Sequence, residues 1–180
     1  MKLSNTRLYL RPWEDADAPA LYQLARNPEI GPRAGWPPHS SEAESLEIIQ
    51  NFFNNEGAFA ILAQDSHELL GSIALKDQEH STLAQSPTEG ELGFWIGQPF
   101  WGHGYAGEAA SLLIDEAFNQ RKLSTIWCAY FDGNASSKRV QEKLGFHYAF
   151  TIPASPVPML QAFRTRHVNR LDQADWQLRS

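Results

Sequence analysis

Apolar and polar positions along the chain follow two periods, and the switches between them mark out the elements. Arg7 to Arg11 alternates charged and apolar residues, the period of a strand, and Pro12 ends it. Asp15 or Asp17 is placed to cap a helix with Pro19 in its first turn, and Ala18, Leu21, Tyr22 and Ala25 then share one face. Asn27-Pro28 and the Gly31 to Pro38 region stop that helix. Ser41 to Glu44 has the form of a capping box. It predicts a second helix with Leu46, Ile49 and Phe53 inward, ending near Gly57.

Ala58–Ala63 and Leu69–Leu75 read as a hairpin around a polar turn, Lys76 to Thr88 as a longer loop, and Glu89–Ile96 as a further strand. Tyr105 to Gln120 has the clearest helical period, with Ala106, Ala109, Ala110, Leu113, Ile114, Ala117 and Phe118 on one stripe. A strand at Thr125–Tyr130 follows, then a helix at Ala135–Leu144 ended by Gly145, and a strand at Phe146–Ile152. Pro153 to Pro158 holds three prolines and reads as a loop; Phe163–Leu171 and Trp176–Leu178 read as closing strands. A strand meander followed by β-α-β-α-β predicts one mixed α/β domain over 1–180.

Composition narrows the function more than the fold. The 180 residues are 42% hydrophobic and carry a net charge of −6, enough for a packed core and without the basic stripe of a nucleic-acid binder. The single cysteine, Cys128, allows no internal disulfide, which suits a reducing compartment. Met1 to Asn5 lacks the apolar run of a signal peptide, and no segment is long and apolar enough to span a membrane. The expectation is a cytoplasmic protein, monomer or homodimer, with neither nucleic acid nor membrane as partner. The six histidines show no metal-ligand spacing, so no metal is expected.

Candidate chemistry concentrates where the strand Glu89–Ile96 runs through Gly97 to Phe100 into Trp101-Gly102-His103-Gly104-Tyr105-Ala106-Gly107-Glu108 and the long helix. Free N–H groups at a helix start bind anions, and glycine lets a backbone approach phosphate oxygens. The three glycines fail as a dinucleotide fingerprint. They follow a meander rather than a first βαβ strand, and the next acidic residue, Asp132, lies too far along. No Lys-Ser/Thr follows them, which excludes a nucleoside-triphosphate loop.

Glu-Leu-Gly-Phe-Trp-Ile (91–96) with Phe-Trp-Gly-His-Gly-Tyr-Ala-Gly-Glu-Ala (100–109) resembles the acetyl-CoA motif of the GNAT superfamily of N-acetyltransferases, with Trp101 in place of the usual Gln or Arg. Asn134 to Phe146 resembles the pattern Asn-x-x-Ser-x-x-Val-x-Glu-Lys-Leu-Gly-Phe of its RimJ/RimL branch. Leu10-Arg11-Pro12 and Ala174-Asp175-Trp176 are also similar to that branch. The resemblance implies a mostly antiparallel sheet of about seven strands with a central splay, flanked by about four helices. It implies acetyl transfer from acetyl-CoA to a primary amine by direct attack. A non-catalytic acyl-CoA-binding regulatory domain is the alternative.

By that resemblance the cofactor pyrophosphate meets the backbone of Gly102, His103, Gly104, Tyr105, Ala106 and Gly107. The pantetheine arm meets Phe94, Trp95 and Ile96, and Asn134 and Ser137 approach the cofactor or a bound water. An alkylamine is mostly protonated near neutrality, so a base is useful. Glu91 is the candidate and Glu89 its competitor. Many superfamily members place a tyrosine acid where this chain has Gln141, which cannot donate a proton as an acid. Ser137 takes that role by resemblance to the branch, with Tyr148 as a further candidate. Trp36 and Trp95, with the 28–40 and 153–160 segments, are expected around the acceptor. Cys128 reads as a small buried hydrophobe.

Overall fold

A computed structural model describes residues 3–179; Met1 and Lys2, part of the segment read for a leader, lie outside the described residues. Among these residues one eight-stranded sheet has the order β1-β2-β3-β4-β5-β6-β8-β7. The strands are β1 (Leu3–Ser4), β2 (Leu8–Pro12), β3 (Ala58–Ala63), β4 (Leu69–Lys76), β5 (Glu89–Ile96), β6 (Thr125–Phe131), β7 (His147–Val157) and β8 (Ala162–Asp172). The helices are α1 (Ala18–Ala25), α2 (Gly31–Ala34), α3 (Glu42–Ile48), α4 (Tyr105–Asn119), α5 (Ala135–Leu144) and α6 (Gln173–Gln177). Every neighbouring strand pair is antiparallel except β5 and β6.

The sheet separates two cores. On one face Ala109, Ala110, Leu113, Ile114, Ala117 and Phe118 of α4, all at 0–1% exposure, meet Leu10, Ile73, Leu92 and Ile126. The alanines let α4 lie close to the sheet, and each large side chain so buried contributes about 1.5–3 kcal/mol. On the other face Leu21 and Ala25 of α1 and Ile49 just after α3 cover Tyr9, Ala60 and Leu62.

Several expectations need correction. The proline-rich stretch 153–158 is not a loop up to Val157 but the end of β7. Proline is tolerated there because β7 is an edge strand, and the pairing with β8 shifts register between Ile152 and Ser155. Trp176 and Leu178 do not form a strand: α6 takes Gln173–Gln177, and Trp176 Nε1 donates to Asp115 of α4 at 2.7 Å. The Gly31–Pro38 region, expected only to stop a helix, contains α2. Short β1 was not anticipated. The helix after Ser41 is only seven residues long before it widens into a π turn at Ile49–Phe53. Its capping box is half made: Ser41 Oγ accepts from the Glu44 N–H at 3.1 Å, while the Glu44 carboxylate turns to Ser40.

His39 anchors the segment after α2. Its main-chain N–H donates to Ala25, its ring lies 2.8 Å from the Ser45 hydroxyl, and it is 7% exposed. Burial pushes its pKa below the ordinary 6.5, partly opposed by the Glu44 charge. The unfolded chain therefore binds a proton at higher pH than the folded one, so stability falls as pH drops below about 6.5 and levels off below the folded pKa. Urea unfolding at several pH values is expected to show this loss, and His39→Gln to lessen the pH dependence over that window.

Candidate functional site

β5 and β6 are hydrogen-bonded only from Glu89↔Thr125 to Leu92↔Cys128. Beyond that vertex β5 continues to Ile96 along β4, and β6 continues to Phe131 along β8. Gly93–Ile96 and Ala129–Phe131 thus diverge, and their facing backbone edges do not pair with each other. Four residues of β5 and three of β6 have left the ladder, a wedge-shaped gap in the middle of the sheet.

The 101–107 turn stands at the end of the β5 limb. Gly102 and Gly104 have φ of 81° and 85°, in the left-handed region that L side chains avoid. A Cβ on Gly102 or Gly107 would meet nothing within 4 Å, and one on Gly104 only Glu108 Oε1 at 3.9 Å. Glu108 N–H is the first in this run to bond within the protein, to Gly104. Among the described residues the N–H groups of 102–107 donate to no protein acceptor. Six free donors at the start of a fifteen-residue helix, with open space before them, make an anion cradle.

Arg7 braces this turn from β2's approach, a contact that alternation alone does not reveal. Its guanidinium donates to the His103 carbonyl at 3.1 Å, pairs with Glu108 and lies 4.6 Å from the Tyr105 ring centre. The His103 ring stacks on Tyr105 and its Nδ1 lies 2.9 Å from the Trp101 carbonyl. Trp101 Nε1 donates to the Ile96 carbonyl at 2.7 Å, which ties the turn to the end of β5. That bond commits the Ile96 carbonyl within the protein.

The predicted residues divide between the two faces. Phe94 packs toward the α4 core, whereas Trp95 meets Trp36 edge-on with ring centres 5.7 Å apart. α2 lies over the mouth of the gap on Trp95's side. The Arg33 guanidinium is 5.3 Å from the Trp101 ring on the β5 side, and the Arg33 carbonyl accepts from Asn134 Nδ2 at 3.4 Å on the β6 side. Arg164 of β8 donates to the Pro32 carbonyl and faces the Phe131 ring. α2 is therefore a roof joined to both limbs.

Asn134 caps α5, its Oδ1 accepting from the Ser137 N–H at 3.2 Å. Ser137 lies on the next turn of the same face, and its hydroxyl accepts from Gln141 Nε2 at 3.2 Å. Tyr148 stands on the outermost strand, with β8 between it and the gap, 66% exposed and bonded to Thr151.

The two carboxylates of β5 are both engaged. Glu91 pairs with Arg166 through one oxygen, and its other oxygen accepts from Ser81 Oγ at 2.7 Å and the Thr82 N–H at 3.1 Å. Glu89 accepts from the Gln85 N–H and from Trp127 Nε1, each at 2.9 Å. The Gln85 bond, with smaller help from Trp127 and the Arg170 charge, holds the Glu89 carboxyl below its usual range despite burial. Cys128 is buried, and burial pushes its thiol far above the ordinary value. It packs as a core residue and is no nucleophile. Among the described residues no three His, Cys, Asp or Glu side chains gather as a metal site, and no helix is long and apolar enough to cross a membrane.

Comparison with known proteins agrees with this geometry. Residues 7–147 match the family described as acetyltransferase (GNAT) domain. The uncharacterized protein YkkB of Bacillus subtilis is 31% identical over 157 residues, covering 84% of this chain and 88% of that protein. A GNAT-family acetyltransferase structure from Bacillus anthracis superposes with a TM-score of 0.83 at 19% identity, covering 97% of this chain and 99% of the other. A putative ribosomal-protein-serine acetyltransferase from Vibrio cholerae superposes at 0.78 and 21% identity, over 96% and 97% of the two chains. With its splayed parallel pair, free helix N-terminus and match over most of its length, the chain belongs to the GNAT acetyltransferase family.

Proposed function

We propose that the protein is an acetyl-CoA-dependent N-acetyltransferase acting on a primary amine, either a protein N-terminus or a small-molecule amine. The observation that carries this reading is the alignment of the unpaired β5 edge with the six free N–H groups of 102–107, a slot followed by an anion cradle. An acyl-CoA has that shape: a thin amide-bearing arm ending in a pyrophosphate. Bound there, acetyl-CoA supplies an activated acetyl thioester. Gly102 to Gly107 hold the phosphates, and backbone groups of Phe94, with the Ile96 N–H, hold the arm. Asn134 orders the α5 start, and Ser137 gives a hydrogen bond to the sulfur as the amine displaces it.

Glu89 is held below the usual carboxylate range by its bond from Gln85, and both Glu91 oxygens are occupied by Arg166, Ser81 and Thr82, so neither is free to face an amine. We therefore assign amine deprotonation to water, and give Glu91 the task of holding Arg166 and the 81–82 segment at the acceptor face. Under that assignment the enzyme depends on the acceptor's own pKa. An α-amino group of pKa about 7.7–8.0 is roughly one-tenth neutral at pH 7, whereas an alkylamine of pKa about 10.4 is neutral in roughly one molecule in 2,500. An α-amine is the favoured acceptor, which agrees with the RimJ/RimL-like motifs at 100–109 and 134–146. In this reading the chain works as a single cytoplasmic domain, monomer or homodimer, without metal, nucleic acid or membrane.

The engaged carboxylates also favour a second reading, an acyl-CoA-binding regulatory domain without turnover. Mass spectrometry after incubation with acetyl-CoA and a panel of peptides and small amines separates the two. Acetylated α-amines are expected. CoA binding with no acetylated product from any amine would establish the second reading.

A further inference from the structure

Gln141 occupies the position where many superfamily members carry an acidic tyrosine, and it is fully buried at 0% exposure. Two hydrogen bonds run through its amide. Asn169 Nδ2 donates to Gln141 Oε1 at 2.8 Å, so Gln141 Nε2 must point the other way, where it donates to Ser137 Oγ at 3.2 Å. Asn169 is itself 4% exposed and lies opposite Cys128, the last β6 residue paired with β5. The chain of bonds starts level with the vertex of the gap and ends at Ser137.

A hydroxyl that accepts from an N–H must aim its own proton elsewhere. Among the described residues the Ser137 hydroxyl donates to no protein acceptor, and Ser137 is only half-buried. Ser137 shares its face of α5 with Asn134, the residue that bonds α2 across the mouth of the gap.

We propose that Gln141 and Asn169 are positioning residues that turn the Ser137 hydroxyl proton toward the thioester sulfur. This rests on the acetyl-CoA reading above and on Ser137's part in it. The amine nitrogen forms the new C–N bond as the C–S bond breaks and its electron pair goes to sulfur. Ser137 donates a hydrogen bond to that thiolate, and the proton lost from nitrogen to water balances the one the sulfur gains. Without Gln141 Nε2 the hydroxyl is free to rotate away.

The test needs no acceptor amine: the thiol of bound CoA is titrated through thiolate absorbance in the native protein and in variants. Wild type is expected to bind CoA with a thiol pKa below that of free CoA. A hydrogen bond to a charged group is strong enough for Ser137→Ala to raise it by about one pKa unit. Gln141→Met, of similar volume and uncharged, is expected to produce most of that rise and to add nothing in the Ser137→Ala background. Asn169→Leu is expected to do the same through Gln141, and carries the test if Gln141→Met does not fold. A rise with Ser137→Ala but a wild-type value in the Gln141 and Asn169 variants overturns the positioning role and leaves Ser137's intact. An unchanged value with Ser137→Ala overturns both. Absence of CoA binding by the wild-type protein defeats the functional reading itself.

Discussion

Gly104→Glu is expected to weaken acetyl-CoA binding by at least about 100-fold while leaving the fold in place. Two effects act together. At φ of 85° any side chain is strained, by about 1–3 kcal/mol. The larger effect is the carboxylate itself, set among the N–H groups of 102–107 where the proposed function puts the pyrophosphate. Like charges brought together in this way cost several kcal/mol, and each 1.4 kcal/mol is about tenfold in affinity. Crowding adds little, since only Glu108 Oε1, at 3.9 Å, approaches a Cβ at 104. Calorimetric titration of acetyl-CoA into the two proteins measures the loss, and Gly104→Ala separates backbone strain from charge. A Gly104→Glu protein that binds acetyl-CoA as wild type does would remove the phosphates from this turn.

Gly71→Ala is expected to have the largest effect on stability, at least about 2 kcal/mol, the range found when a packed interior is overfilled. Gly71 of β4 lies opposite Ile96, and a Cβ there would stand 2.2 Å from the Trp95 carbonyl oxygen and 2.9 Å from Ile96 Cα. Both are backbone atoms of the β5 limb, so no side chain can swing aside. β5 must move, and with it the slot edge and the start of the 101–107 turn, which hangs from the Ile96 carbonyl through Trp101. Gly71→Ala is therefore expected to lose acetyl-CoA affinity as well as stability. Gly93→Ala is the contrasting case on the same strand pair. A Cβ there meets nothing within 4 Å, so its unfolding midpoint in urea should stay near wild type.

The sequence was most legible where a single local rule decides the structure. α4 follows from its apolar stripe, and α5 from Asn134 at its start and Gly145 at its end. The shape of the 101–107 turn was readable because it is a main-chain feature: glycines and a helix start suffice, whatever the intervening side chains. Local rules misled where tertiary context intervened. Three prolines argue for a loop only if the strand they interrupt needs its outer N–H groups, and β7 is an edge. Trp176 belongs to a helix because Asp115 holds its indole, sixty-one residues earlier in the chain.

Side-chain partnerships were the hidden part of the site. Glu91 as a strand carboxylate suggested a base, yet Arg166, 75 residues downstream, pairs with it. Gln141 appeared only as a missing tyrosine, although Asn169, 28 residues away, makes it a directed donor. Neither Arg166 nor Asn169 follows from any spacing rule. They come to the site because β8 crosses back to pair with β6.

Amide hydrogen exchange with and without CoA bears most directly on the account. Addition of CoA is predicted to slow exchange selectively at Phe94–Ile96 of β5 and at residues 102–107, the unpaired strand edge and the free helix start, with little change in β2 or β3. Protection elsewhere with none at these two segments would contradict the account, because the gap between β5 and β6 would then not be where the acyl carrier sits.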